Sequence, residues 1–184
     1  MSNTAANVSV GKPKISGAIF RAPIGTTLPT DTSTALAVAF KCVGYISQDG
    51  LTNSVARTST DIKAWGGDTV ASIQTEKADT FAFTMIESHN EDVLKTAHGD
   101  DNVSGTLAQG MTITENSEEL EKHAWVVDMI ENDVAHRICI PDAKVTTLGD
   151  ITYRDDQAVA FPVTLTAYPD ASGNTHYEYL KTSA

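Results

Sequence analysis

The chain has 184 residues, 41% of them hydrophobic, enough for one domain with a real core. Its 13 Lys and Arg stand against 24 Asp and Glu, a formal charge of −11, which argues against gripping nucleic acid or an anionic membrane, because the phosphates of either repel it. No apolar run approaches the ~18 residues of a membrane span, and the start MSNTAANVSVGKPK lacks an apolar signal-peptide region, so folding in a cytoplasm is the expectation.

Residues 1–36 are rich in Thr, Ala, Pro and Gly and read as an extended N-terminal arm that needs a partner surface for order. Within it, Ser16 to Ala22 has the character of a short strand, and Pro23 to Asp31 that of a loop. From Ala37 the pattern is strand-like, with Val38, Phe40 and Cys42 and then Val43 to Ile46, followed by a turn at Gln48-Asp49-Gly50. Residues 51–68 are polar and without a clear period. They read as a lid or interaction loop carrying Arg57, Asp61 and Lys63, with Trp65 as an anchor beside Gly66-Gly67.

The stretch from Asp68 to Gly99 is the most regular. Two period-2 strands are expected, joined as a hairpin by a turn at Glu76-Lys77-Ala78-Asp79. Val70, Ser72, Gln74 and Glu76 share one face of the first, and Ala71, Ile73 and Thr75 the other. In the second, Phe81, Phe83 and Met85 point to the core and Thr80, Ala82 and Thr84 to water. That wetted face is small and polar, more like the lining of a passage than a binding pocket. A short helix follows, with Ser88 and Glu91 at capping-box spacing, Asn90 as an alternative cap, a stripe of Val93, Leu94 and Ala97, and Gly99 as its stop.

Beyond a turn at Asp100-Asp101-Asn102, strands are expected over Thr106–Glu115, Lys122–Ile130, Ala135–Ile140, Lys144–Leu148 and Ala158–Ala167, with a last short strand after Gly173. His123, Trp125, Val127 and Met129 share a face; Pro141-Asp142 breaks a strand; Pro162 marks an edge or a bulge. Cys42 and Cys139 read as two buried thiols.

Constellations for chemistry are missing. The histidines His89, His98, His123, His136 and His176 show no HxxxH or HExxH spacing, and there is no G-x-S-x-G, P-loop or G-x-G-x-x-G. Asp155-Asp156, Asp100-Asp101-Asn102 and the acidic run from Glu115 to Glu121 read as solvated turns and loops, because a calcium loop needs more spaced oxygens. No catalytic residue, metal ligand or cofactor is expected.

The order and spacing of several blocks carries a resemblance. They are Thr69 to Gly99, Arg137-Ile-Cys-Ile-Pro-Asp-Ala-Lys-Val-Thr, Gly149-Asp-Ile-Thr-Tyr153, Phe161-Pro-Val-Thr-Leu-Thr-Ala-Tyr-Pro-Asp170, and Gly173-Asn-Thr-His-Tyr-Glu-Tyr. Over about residues 37 to 180 the chain resembles a major tail tube protein of a long-tailed, siphovirus-type bacteriophage. The resemblance implies an all-β sandwich or barrel over 37–184, with one short flanking helix near 90–98. It implies hexameric rings stacked helically into a conduit for DNA ejection, with no enzymatic activity and no cofactor. About four strands per subunit would join an inner barrel. At ~4.8 Å spacing and ~40° tilt, roughly 24 strands give a diameter near 48 Å, wide enough for a DNA duplex after side chains are subtracted.

Partners implied are further copies of the chain, tape measure, terminator, and baseplate or tip proteins, and double-stranded DNA that passes without specific binding; no membrane is involved. The place is the virion tail, made and assembled in the host bacterial cytoplasm. The expected lumen face is Val70, Ser72, Gln74, Glu76, Thr80, Ala82 and Thr84. The expected contacts between subunits or rings are Phe20, Arg21, Arg57, Asp61, Lys63 and Trp65. Three alternatives stand beside this reading. One is another tail ring protein, a terminator or baseplate component. The second is the tube of a bacterial secretion or contractile system. The third is a carbohydrate-binding β-sandwich with Trp65, Trp125 or Tyr153 as sugar platforms.

Overall fold

The computed structural model describes residues 3–14 and 17–182; the expected strand start at Ser16 lies outside them. The strands are β1 (Gly11–Pro13), β2 (Ile19–Pro23), β3 (Lys41–Cys42), β4 (Ile46–Lys63), β5 (Thr69–Met85), β6 (Val103–Thr106), β7 (Gly110–Ile113), β8 (Lys122–Glu131), β9 (Val134–Leu148), β10 (Phe161–Ala167) and β11 (Tyr177–Thr182), with one helix, α1 (Glu91–His98), between β5 and β6. The fold is all-β with a single short α-helix among the described residues, as the sequence predicts, besides one 3-10 turn at Ala5–Asn7. One antiparallel sheet runs β3-β2-β8-β9-β10-β5-β4, with β1 added beside β8 and β11 beside β9; β6 and β7 form a separate hairpin. Strand β9 is the hinge of the design. Its first half pairs with β11 (Tyr177 opposite Cys139) and its second half with β10 (Leu165 opposite Val145), while β8 lies along its other side.

The main core lies where alternate residues of these strands converge with the apolar stripe of α1. Phe81, Phe83 and Met85 of β5, Phe161, Val163 and Leu165 of β10, Trp125 and Val127 of β8, Ile138 and Ile140 of β9, and Val93, Leu94 and Ala97 of α1 are all buried. Each such large side chain stabilises the fold by about 1.5–3 kcal/mol through apolar surface removed from water. Asn90 caps α1, its side chain accepting from the Asp92 N–H at 3.0 Å, so Asn90 is the cap and Ser88 is not. Gly99 ends the helix at φ 102, with its N–H donating to the Lys95 carbonyl. The β8–β9 hairpin closes on Asn132-Asp133, with Asn132 at φ 54, the left-handed geometry that tight hairpins demand.

Four expectations are corrected. First, the N-terminal stretch is not a detached arm beyond Gly17. β2 sits inside the sheet between β3 and β8, and the chain after it covers the reverse face, where Ala22, Phe40, Ala124, Val126 and Cys139 form a second core joined by Leu28, Leu36 and Ala37. Covering both faces explains why six successive residues of β8, from His123 to Asp128, are buried. Second, residues 51–63 are not a loop. They belong to β4, which pairs with β5 along nearly its whole length.

Third, Glu76 to Asp79 is no turn. β5 runs through it unbroken, and the hairpin turns at Ala64 to Asp68, where the Ala64 N–H donates to the Asp68 carbonyl at 2.7 Å and Gly66 and Gly67 take φ of 121 and 98. Fourth, Pro141-Asp142 does not end a strand, since β9 continues to Leu148. Pro162 lies in an interior strand just before pairing with β9 begins at Val163. Its carbonyl accepts from the Gly149 N–H, so its missing donor faces that same unladdered position.

Candidate functional site: an uncovered sheet face and a free ribbon

The face of β4, β5, β10 and β9 that points away from the core is built from short side chains. Thr84 lies opposite Pro162, Ala82 opposite Thr164, and Thr80 opposite Thr166; across the other edge Thr52 faces Ala82 and Ser54 faces Thr80. Alternation dictates this, because Phe81, Phe83, Val163 and Leu165 take the inner positions. The hydroxyls bond within the sheet: Thr146 Oγ1 lies 2.9 Å from Thr166 Oγ1, and Thr80 Oγ1 donates to the Ser54 carbonyl at 3.4 Å. The result is a smooth strip of short side chains across four strands, with the carboxylate-bearing Asp49 of β4 beside it. Lys144 at its margin is held by Glu119 at 3.1 Å.

β4 and β5 extend this face into a ribbon. Only the Thr80–Met85 part of β5 pairs with β10; residues 69–79 pair with β4 alone. At ~3.3 Å per residue the free part is roughly 35 Å long. Residues 52–77 are exposed throughout, held by strand pairing and, at the base, by the side chains of Asn53 and Lys77. A two-stranded ribbon is marginal by itself in water, and its outer edges carry unpaired N–H and C=O groups.

The ribbon also rearranges the predicted face. Thr58 lies opposite Glu76 but Ser59 lies opposite Gln74, so Thr75 is an extra residue, a bulge, and the alternation flips there. Glu76 therefore shares a face with Thr80, Ala82 and Thr84, whereas Ser72 and Gln74 lie on the other, where Arg57 Nη1 donates to Gln74 Oε1 at 3.3 Å. Ala71 and Ile73 instead continue the smooth face, opposite Ile62 and Thr60. Val70 falls at a second register shift near the tip. Arg57, Asp61, Lys63 and Trp65 are all on the ribbon and exposed, Trp65 fully so at its turn. Phe20 and Arg21 do not join them. Phe20 packs against the second core, and Arg21 is buried with Nη2 donating to Asp100 Oδ1 at 2.6 Å. Intrachain pairing occupies the Arg21 guanidinium. Trp125 is buried as well, which removes it as a sugar platform.

A polar pin stands at the ribbon base, where the sequence pattern predicts a turn at Asp79 and carries no signal for it. Asp79 is buried; Thr175 Oγ1 donates to it at 2.5 Å, Asn53 Nδ2 at 2.9 Å, and His176 Nδ1 lies 2.6 Å away. Burial pushes its carboxyl up, but these hydrogen bonds outweigh burial and hold it below its ordinary value. A lowered folded pKa means stabilisation that is complete above about pH 4 and lost as pH falls through the folded value. Urea midpoints are therefore expected to drop below about pH 4, and Asp79→Asn to flatten that drop. Parallel acid limbs in wild type and variant would contradict it.

Among described residues, no helix is long and apolar enough to cross a membrane. No curated protein matches the chain. A cryo-EM structure of the anti-feeding prophage cap, a tube terminating cap, aligns over 100% of both chains at 9% identity with a TM-score of 0.47. Residues 8–184 match the family model for phage tail tube proteins, so this chain, with its all-β sheet and short helix, belongs to the phage tail tube protein family.

Proposed function

We propose that six copies of this chain close into a ring, that rings stack helically into the tail tube of a siphovirus-type phage, and that the tube conducts DNA into the host. The observation that carries this reading is the uncovered strip of short side chains across β4, β5, β10 and β9, four neighbouring strands with one smooth face. A conduit wall needs few projections and no affinity for its cargo. Side chains such as Thr80, Ala82, Thr84, Thr164 and Thr166 offer no cation to phosphate, and a formal charge of −11 repels DNA where a basic wall would hold it by counterion release.

In this assembly Glu76, Thr80, Ala82 and Thr84 line the lumen. Ser72 and Gln74, on the opposite face of the ribbon, meet a neighbouring subunit together with Arg57, Asp61 and Lys63, and Val70 and Trp65 sit at the contact made by the tip. The ring is closed and the stack is open head-to-tail. Its ends meet terminator, tape measure, and baseplate or tip proteins, and the protein works in the virion without cofactor or catalysis.

Electron microscopy of negatively stained protein at high concentration tests the assembly. Tubes of stacked rings are expected; monomers alone, even with other tail proteins present, would sink it. The lumen assignment has its own test. Glu76→Lys reverses one charge per subunit along the wall, and a phage carrying it is expected to eject DNA more slowly, most of all in low salt where screening is weak. Normal ejection in low salt would show that Glu76 does not face the DNA path.

A further inference from the structure

The start of β8, the turn after α1 and β2 converge on a small polar cluster apart from the sheet face and the ribbon. One carboxylate oxygen each from Asp100 and Glu121 and a ring nitrogen of His123 all lie within 4.8 Å of one another. We infer that Asp100, Glu121 and His123 bind a divalent transition metal of the zinc class, with water completing the coordination.

The orientation of His123 is the first argument. Its Nδ1 lies 3.3 Å from the Glu121 carbonyl, an acceptor, so Nδ1 carries a proton, and in the neutral ring the Nε2 lone pair faces the cluster. A backbone carbonyl on the far nitrogen is how metal-bound imidazoles are commonly held. Nε2 then lies 3.2 Å from Asp100 Oδ2. In the neutral ring two lone pairs face each other there, and a cation between them turns repulsion into ligation.

Arg21 sets the terms. Its Nη2 takes the other oxygen of Asp100, Oδ1, at 2.6 Å and leaves Oδ2 free, as a supporting partner of a ligating carboxylate does. Its Nη1 also approaches His123 Nε2 at 3.3 Å, a long contact that the metal displaces. Lys95 lines the same cavity but is paired with Glu91 at 2.6 Å, so Asp100 and Glu121 stand against the one guanidinium of Arg21 and leave the cluster an anionic excess.

Trp125 supplies an independent sign. It is buried, its indole N–H has no hydrogen-bond partner, and it lines the same cavity as Arg21, Asp100, Glu121 and His123. A buried donor without an acceptor is costly. The cavity volume is about 10 Å³, roughly the space of one water. A metal-bound water there would accept the Trp125 N–H. One imidazole and two carboxylates suit zinc or manganese; calcium and magnesium prefer all-oxygen sets. The metal would clip the acidic segment ending at Glu121 to the turn after α1.

The test uses the untagged full chain, stripped with chelator and titrated with Zn²⁺ by calorimetry, with thermal melting alongside. About one equivalent per chain is expected, with a melting point raised by a few degrees, because a ligand that binds only the folded state stabilises it. Glu121 is exposed, so Glu121→Gln should fold normally, weaken binding at least tenfold and lose the thermal shift. His89→Ala, an exposed histidine elsewhere, should change neither, and Ca²⁺ at the same concentration should give no shift. No saturable binding, or equal binding by wild type and Glu121→Gln, would overturn the assignment.

Discussion

Replacing residues 57–77 with an Asn-Gly turn is expected to leave a folded monomer that no longer forms tubes. The excised segment runs from Arg57 to Lys77, which are register partners, so Ala56 and Ala78 remain opposite each other and a two-residue loop can close them. Nothing in the core is lost. The removed residues are exposed, and the main core draws from β5 only Phe81, Phe83 and Met85. The pin at Asp79 stays intact with Asn53, Thr175 and His176; the one side-chain tie lost at its margin is Lys77 Nζ to Thr175 Oγ1 at 3.2 Å. Thermal melting should therefore shift by no more than a few degrees, while sedimentation and microscopy show loss of stacked rings.

The milder variant Trp65→Ala separates anchor from scaffold. An aromatic anchor at an interface can contribute ~2 kcal/mol or more, so the concentration needed for assembly should rise by more than tenfold with the monomer melting point unchanged. Tubes of normal length from the shortened chain would show that the ribbon is not an assembly element.

What the sequence made legible follows the range of the forces involved. The second half of β5 is legible because Phe81, Phe83 and Met85 alternate with Thr80, Ala82 and Thr84 under one burial constraint, and α1 because Val93, Leu94, Ala97 and Gly99 are local signals. The ribbon is not. β4 beyond Leu51 and β5 before Asp79 bury neither face, so no hydrophobic period marks them as strands, and Glu76-Lys77-Ala78-Asp79 looks like a turn when its exposure is really that of a free strand. The bulge at Thr75 is equally silent, since it is defined only by the register with Thr58 and Ser59. The place of residues 17–36 in the fold is hidden for a related reason. The few apolar residues there, Phe20, Leu28 and Leu36, are widely spaced, and their partner face (Ala124, Val126, Cys139) lies far along the chain. The candidate metal cluster joins Asp100 to Glu121 and His123 by tertiary packing, so no motif spacing announces it.

Beside its apolar packing, that N-terminal segment is tied down by a buried ion pair, and Asp128→Ala is expected to cost about 3–5 kcal/mol, because it strands a buried guanidinium. Asp128 and Arg137 are cross-strand partners on the reverse face of β8 and β9, both nearly inaccessible. Arg137 Nε and Nη2 donate to the two carboxylate oxygens at 2.5 and 2.8 Å, and Nη1 donates to the carbonyls of Asp31 at 3.0 Å and Thr34 at 2.7 Å. The pair thus satisfies itself and pins the covering segment with the remaining donor.

For a domain whose whole stability is of the order of 5–15 kcal/mol, the single substitution is severe. The double variant Asp128→Leu/Arg137→Met removes both charges at similar volume and should recover most of the urea midpoint, since a buried pair replaced by packed apolar groups is often neutral. It should not recover the segment: with the Asp31 and Thr34 carbonyls released, amide exchange over residues 24–40 is expected to quicken while exchange in β8 and β9 stays slow. A loss below about 1 kcal/mol for Asp128→Ala, or unchanged exchange over residues 24–40 in the double variant, would show that apolar packing alone holds the segment down.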